Sequence, residues 1–190
     1  MITDILNKDI TKVLTLFSVS PGSKFTRNEI KEKTMLHNVP LDNALIILLN
    51  NNFLIKEKRF FGLNFESESL KKVIEITKKE YLRFKEIPLK IYYLIIDISY
   101  SLANLKGITR VYLFGSYAKL IYTEKSDVDL ALILENHNKA LVNQLKALVN
   151  KIEKRYNKNI ELHFFEKKDM KQKDPLIKEI LRNNVVLFGK

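Results

Sequence analysis

The sequence predicts an α/β layer around a mainly apolar sheet, preceded by a smaller, mainly helical domain. Three observations lead there. Across the second half, strand-length apolar runs alternate with stretches of helical period. The first 69 residues instead run through helices into a hairpin-like pair of short apolar runs. Between the two regimes lies a charged, helix-forming stretch, so the chain divides into domains at 1–69 and 88–190 joined by a connecting helix at 70–87.

Each element has its own signal. Ile5, Ile10, Val13, Leu14 and Phe17 recur at helical spacing and stop at the breaker cluster Ser20-Pro21-Gly22. Thr26 and Glu29 have capping-box spacing and open a short helix to about Lys33. A turn through Leu36 to Asn38 then reaches Pro40 at the start of a helix whose buried stripe is Leu41, Ala44, Leu45, Leu48 and Leu49. A strand from Phe53 to Phe60, a turn near Gly62-Leu63-Asn64 and Phe65 complete a two-stranded wing. The order resembles a winged helix-turn-helix.

In the connecting helix Ser67 or Ser69 is the cap, and Leu70, Val73, Ile74, Ile76 and Tyr81 form the apolar side up to Pro88. Ile91, Leu94, Ile95, Ile98 and Leu102 then mark a helix that stops at Gly107, with Asp97 expected to face solvent or cap a contact. Strands follow at 111–114, 128–134, 160–165 and 185–188, and helices at 116–121, 138–156 and 175–182.

Composition narrows the function classes. With 190 residues and 46% hydrophobic content, the chain can build real cores, as one ordinary domain or two small ones. No window reaches the about 18 uninterrupted apolar residues of a membrane span, and the nearest approach, at 91–98, contains Asp97. The absence of cysteine excludes disulfides and thiolate metal sites. With no secretory signal pattern at the first residues, this fits a cytoplasmic protein. The net charge of +11 is uneven: residues 1–69 carry nine basic and eight acidic side chains, leaving +10 for residues 70–190. Such a field favours an anionic ligand, while lysines that merely solubilise helix faces account for part of it.

The chemistry-bearing segment lies in that basic half. The strand at 111–114 runs into Gly115-Ser116, where a small residue lets backbone approach a ligand and the following helix start offers N–H groups to phosphate. Asp127 and Asp129 are two apart, so a strand points both to one face. Paired carboxylates resist joint ionisation without a cation, and oxygen ligands near phosphate suit Mg2+. Glu161, between Ile160 and Leu162, points away from those apolar neighbours and joins the pair if its strand lies beside that of Asp129. His163 shares the face of Glu161, within reach of the site, and reads as a half-buried polar residue.

Gly115-Ser116, ten intervening residues, Asp127-Val128-Asp129 and a later strand acid resemble the nucleotidyltransferase domain of the DNA polymerase beta superfamily, most closely its minimal nucleotidyltransferase branch. The resemblance covers about Pro88 to Lys190 and implies an α+β nucleotidyltransferase fold, a mixed sheet with flanking helices. It further implies transfer of a nucleoside monophosphate, AMP from ATP, to a hydroxyl acceptor. In that scheme Asp127, Asp129 and Glu161 are catalytic and hold Mg2+, with Glu161 helping to remove the acceptor proton. Gly115 and Ser116 position the β and γ phosphates, and Lys119 neutralises the leaving pyrophosphate. The branch commonly has Arg-Gly where this chain has Lys119-Leu120, and Asp where it has Glu161.

Within the branch, acceptors include the toxin protein of a toxin-antitoxin pair, so a protein acceptor is one expected partner. The alternative is a winged-helix DNA-binding regulator that keeps the second domain as a nucleotide sensor or in inactive form. Against DNA, the helix at 40–51 has no basic residue and turns Asp42, Asn43, Ile46 and Ile47 outward, which suits homodimerisation or partner docking better. Lys56, Lys58 and Arg59 on the wing remain candidates for phosphate contact. Tyr92, Tyr93, Tyr100, Tyr112, Tyr117 and Tyr122 are available to stack a base or to pack a core. Lys167, Lys168, Lys171 and Lys173 form either an acceptor-binding patch or a solvated loop.

Overall fold

The computed structural model describes residues 7–84, 87–171 and 174–189; Ile5, residues 85–86 of the connecting helix, Lys173 and Lys190 lie outside them. The chain divides into two compact units, Met1–Tyr93 and Leu94–Lys190.

In the first unit, α1 (Lys8–Val19) is capped by the Asn7 side chain, which accepts from the Asp9 and Ile10 N–H groups at 3.0 and 2.9 Å. Val13, Leu14 and Phe17 are its fully buried contribution to the core. A short strand β1 (Phe25–Thr26) leads into α2 (Arg27–Thr34), and the capping box closes as its spacing predicts. Glu29 accepts from the Thr26 N–H at 2.7 Å, and the Thr26 hydroxyl accepts from the Glu29 N–H at 3.4 Å. Met35 ends α2 in the left-handed conformation, φ 58°. In α3 (Asn38–Asn50), Leu41, Ala44, Leu45 and Leu48 are buried, while Ile46 and Ile47 are exposed. Asp42 is held by Arg27, whose Nε and Nη2 donate to its two carboxylate oxygens at 2.7 and 2.9 Å.

β2 (Leu54–Glu57) and β3 (Phe60–Leu63) form an antiparallel hairpin, and β1 adds to β3 for the order β1-β3-β2. The hairpin turns at Lys58-Arg59 instead of Gly62-Leu63-Asn64. Glu57 faces Phe60, and Lys58 supplies the left-handed residue that a two-residue loop needs, with φ 54°. Gly62 lies within the ladder opposite Ile55. The two-residue β1 is too short to leave a pattern in sequence.

Ser67 is the cap of α4 (Glu68–Leu82), its hydroxyl accepting from the Leu70 N–H at 3.3 Å. Pro88 precedes α5 (Leu89–Ala103), and the boundary between the units falls inside α5. One lysine departs from the solubilising pattern. Lys12 is buried in the first unit over the Tyr93 ring, and the Tyr93 hydroxyl donates to the Lys12 carbonyl at 3.1 Å.

The second unit is a four-stranded mixed sheet. Its elements are β4 (Ile108–Phe114), α6 (Gly115–Lys119), β5 (Val128–Leu134), α7 (Lys139–Tyr156), β6 (Ile160–Glu166), a 3-10 turn at Asp169–Lys171, α8 (Pro175–Arg182) and β7 (Val185–Gly189). The order is β6-β5-β4-β7, with β5 and β6 parallel and the other pairs antiparallel. β4 starts three residues before the expected strand, across a register shift between Ile108 and Arg110. β5 is central and apolar on both faces. Val128, Leu130, Leu132 and Leu134 alternate with Asp129, Ala131 and Ile133, and every one but Asp129 is buried. On the face of Asp129, a cluster of Tyr112, Phe114, Ala131, Ile133 and Ile180 packs with Phe165, Met170 and Leu176.

Asp97 is not at the surface. It is 1% exposed, its Oδ2 accepting from the Tyr156 hydroxyl at 2.7 Å and from Arg155 Nη1 at 3.2 Å. Both partners sit at the end of α7, far along the chain, so the helical stripe around Asp97 carries no sign of them. Among the described residues, no helix is long and apolar enough to cross a membrane.

Candidate metal and nucleotide site

The site forms where β4 ends and β5 and β6 begin. The antiparallel register puts Phe114 beside Asp129, and the parallel register puts Asp129 beside Glu161 and Ala131 beside His163. Alternation along β6 then directs Glu161 and His163 to the face of Asp129. The conditional pairing in the sequence argument is therefore realised, and it brings two of the three acids together.

Gly115 has a role that its sequence context does not show. Its φ is +69°, and a Cβ at this position would meet the Asp129 carboxylate, 2.7 Å from Cγ and 3.1 Å from Cβ. The space left by the missing side chain is filled by Asp129, and the next backbone N–H, that of Ser116, hydrogen-bonds the same carboxylate. The Gly-Ser turn thus grips an acid of the chain's own sheet.

Burial raises the Asp129 carboxyl above the ordinary carboxylate range, and repulsion from Glu161 and then Asp127 adds to the rise. His163 and the Ser116 N–H oppose it. Asp127 precedes β5 and is exposed. It lies near enough for its charge to act on Asp129, yet it is not in the tightest group. Among the described residues that group is Asp129, Glu161 and His163, each offering one donor atom within 4.8 Å of the others. Within it, His163 Nε2 stands 3.3 Å from Glu161 Oε1, and the Phe114 ring meets the imidazole edge-on at 5.1 Å. Two carboxylates and an imidazole fit a divalent cation.

Lys119, the last residue of α6, is ion-paired to Glu179 on α8 at 2.5 Å. Leu120 follows in the left-handed conformation, φ 60° and ψ 30°, half exposed, at the position where the resembling branch commonly has glycine. Tyr92, Tyr93, Tyr112 and Tyr117 are buried in cores. Half-buried Tyr122 stacks on Tyr117 with ring centroids 4.6 Å apart, and Lys158 sits over the Tyr117 ring. Lys168 pairs with Glu166 at 2.7 Å.

His163 is the half-buried polar residue within reach of the site that its place two residues after Glu161 predicts. Glu179 had no signal, because nothing in the order of residues ties α8 to Lys119.

Residues 97–190 match the family model described as Polymerase beta, Nucleotidyltransferase. No curated protein matches the chain. Among solved structures, a crystal structure of a toxin-antitoxin with AMP-PNP is 19% identical, covers 53% of this chain and 72% of its own, and has a TM-score of 0.37. A mutant of the toxin-antitoxin MntA-HpeT is 17% identical with the same coverages and a TM-score of 0.36. A protein from Sulfolobus solfataricus, described as a candidate nucleotidyltransferase, is 16% identical, covers 53% of this chain and 84% of its own, and has a TM-score of 0.35. Residues 97–190, from within α5 to β7, thus match the polymerase beta nucleotidyltransferase family over a mixed sheet whose Gly-Ser turn closes on Asp129.

Proposed function

We propose that the chain is a Mg2+-dependent nucleotidyltransferase that moves AMP from ATP to a hydroxyl acceptor on a partner protein, of the toxin kind found in toxin-antitoxin pairs. The observation that supports it most is the β5–β6 register, which sets Glu161 beside Asp129 under the turn Gly115-Ser116 within the family domain. The acceptor oxygen bonds to the α phosphorus, the α–β phosphoanhydride bond breaks, and pyrophosphate leaves. Glu161 takes the hydroxyl proton. Asp127, Asp129 and Glu161 hold the cation, which supplies charge neutralisation for the triphosphate and lowers the pKa of the acceptor hydroxyl.

The other roles fall to the turn and α6. Gly115 and Ser116 orient the triphosphate from the backbone side. Lys119 meets the leaving phosphates once it exchanges Glu179 for them, since both are anionic oxygen partners.

The first unit, in this reading, is a winged helix-turn-helix-like module for protein contact, through a partner or a second copy of the chain. Exposed Val39, Ile46 and Ile47 on α3 favour an apolar surface over a phosphate backbone, and DNA binding is correspondingly disfavoured. ATP chemistry and a cysteine-free chain suit the cytoplasm.

The test is label transfer from α-labelled ATP to candidate acceptors in the presence of Mg2+. Asp127→Ala and Asp129→Ala should abolish it while circular dichroism stays native. Undiminished transfer in both variants would sink the assignment. Salt-sensitive, sequence-selective binding to DNA without turnover would replace it with the regulator reading.

A further inference from the structure

We propose that His163 is a ligand of the metal, and that Asp129, Glu161 and His163 together make the site prefer a nitrogen-accepting cation, Mn2+, over Mg2+. This rests on the metal-dependent reading above and adds to it an imidazole in a site otherwise made of carboxylates.

Three observations place the imidazole there. β6 alternation sets His163 on the same face as Glu161, one pair further along the sheet from Asp129. Opposite His163 stands Ala131, the smallest side chain of β5. Phe114, the last residue of β4, meets the ring at 74° between planes and fixes its tilt. The imidazole is half-buried, so ordering it on an ion costs less than ordering a free surface side chain.

The spacing then fits a shared ion. Donors about 2.1 Å from one cation stand about 3.0 Å apart in an octahedron and about 3.4 Å apart in a tetrahedron. His163 Nε2 and Glu161 Oε1 are 3.3 Å apart, and a donor of Asp129 lies within 4.8 Å of both. A plain His163–Glu161 contact has the same separation, but it leaves the Asp129 and Glu161 carboxylates side by side in register, and a shared cation neutralises both acids at once.

The donor set also sets the preference among cations. Mg2+ favours oxygen ligands and retains its waters, whereas Mn2+ and later divalent metals accept imidazole nitrogen.

The experiment is titration of the full-length, metal-free chain with Mn2+ and with Mg2+ by calorimetry, together with pulsed electron paramagnetic resonance of the bound Mn2+. Wild type should bind Mn2+ at least about tenfold more tightly than Mg2+, and its spectrum should show coupling to one imidazole nitrogen. His163→Ala should lose that coupling and about tenfold or more in Mn2+ affinity, while Mg2+ affinity changes little. Asp129→Asn should weaken both ions. Bound Mn2+ that depends on Asp129 but shows no nitrogen coupling in wild type overturns the His163 proposal and leaves the metal-dependent reading standing. Absence of binding, or binding indifferent to Asp129→Asn, overturns both. The wild-type spectrum decides the point even if a variant folds poorly.

Discussion

Replacing Gly115 by alanine should uncouple the turn from the acid it holds. Two terms set the size. A left-handed φ of +69° costs an L residue about 1–2 kcal/mol, of which about 0.5–1 kcal/mol is recovered because alanine restricts the unfolded chain more than glycine does. The new methyl group also meets the Asp129 carboxylate, which must swing away and give up the Ser116 N–H, a charge-assisted bond worth about 1.5 kcal/mol at this half-buried position. The sum is about 1.5–3 kcal/mol of destabilisation.

Urea unfolding followed by circular dichroism measures it, and a cycle with Asp129→Ala separates the two terms. Without the carboxylate, Gly115→Ala should cost only its backbone term, so the cycle should show about 1 kcal/mol or more of coupling. If Gly115→Ala costs the same with and without the Asp129 carboxylate, the close approach is not what requires glycine there, and the argument fails.

Leu120→Gly should act in the opposite direction, stabilising the chain by about 0.5–1 kcal/mol in the same assay, because the half-exposed leucine gains little burial for its left-handed backbone. Destabilisation instead would mean that the leucine packs for a reason the backbone does not reveal. Asp129→Asn should stabilise the metal-free protein at neutral pH. With the Asp129 carboxyl raised in the folded state, that state binds the extra proton between the unfolded and folded pKa values, so stability falls as pH rises through that window and stays lower above it. The gain from Asn should therefore fade toward about pH 4, and a gain that grows with acidity would contradict this sign. Tyr156→Phe should cost about 1.5–3 kcal/mol by removing the buried hydroxyl that donates to Asp97 at 2.7 Å, and a loss under about 0.5 kcal/mol would show that the bond is dispensable.

Much of both units was legible because its signals are local. Alternation fixes which side chains of β5 and β6 share a face, and the caps at Thr26 and Ser67 close within a few residues of chain. Even the meeting of Asp129 and Glu161 needed only one assumption, that β6 lies beside β5. What the sequence does not show is mostly partners that only folding supplies. Asp97 is defined by Arg155 and Tyr156, and Lys119 by Glu179. The need for glycine at position 115 is set by Asp129, fourteen residues away. The hairpin turn was misplaced for another reason: Lys58 accepts a conformation that propensity assigns to glycine, so Gly62 drew the prediction four residues too far.

The central strand has a consequence for how the fold is found. Being apolar on both faces, β5 carries almost no instruction about which face is which, and a slip by one residue would exchange seven side chains at little hydrophobic cost. Asp129 is the only polar side chain among the seven. In the slipped register it would enter a layer of leucine, valine and isoleucine with nothing to pair with, a loss of several kcal/mol at least, of the order ~3–5. The acid proposed for chemistry is thus also the mark by which the sheet tells its two sides apart, and a substitution such as Asp129→Leu would erase a folding instruction along with a ligand.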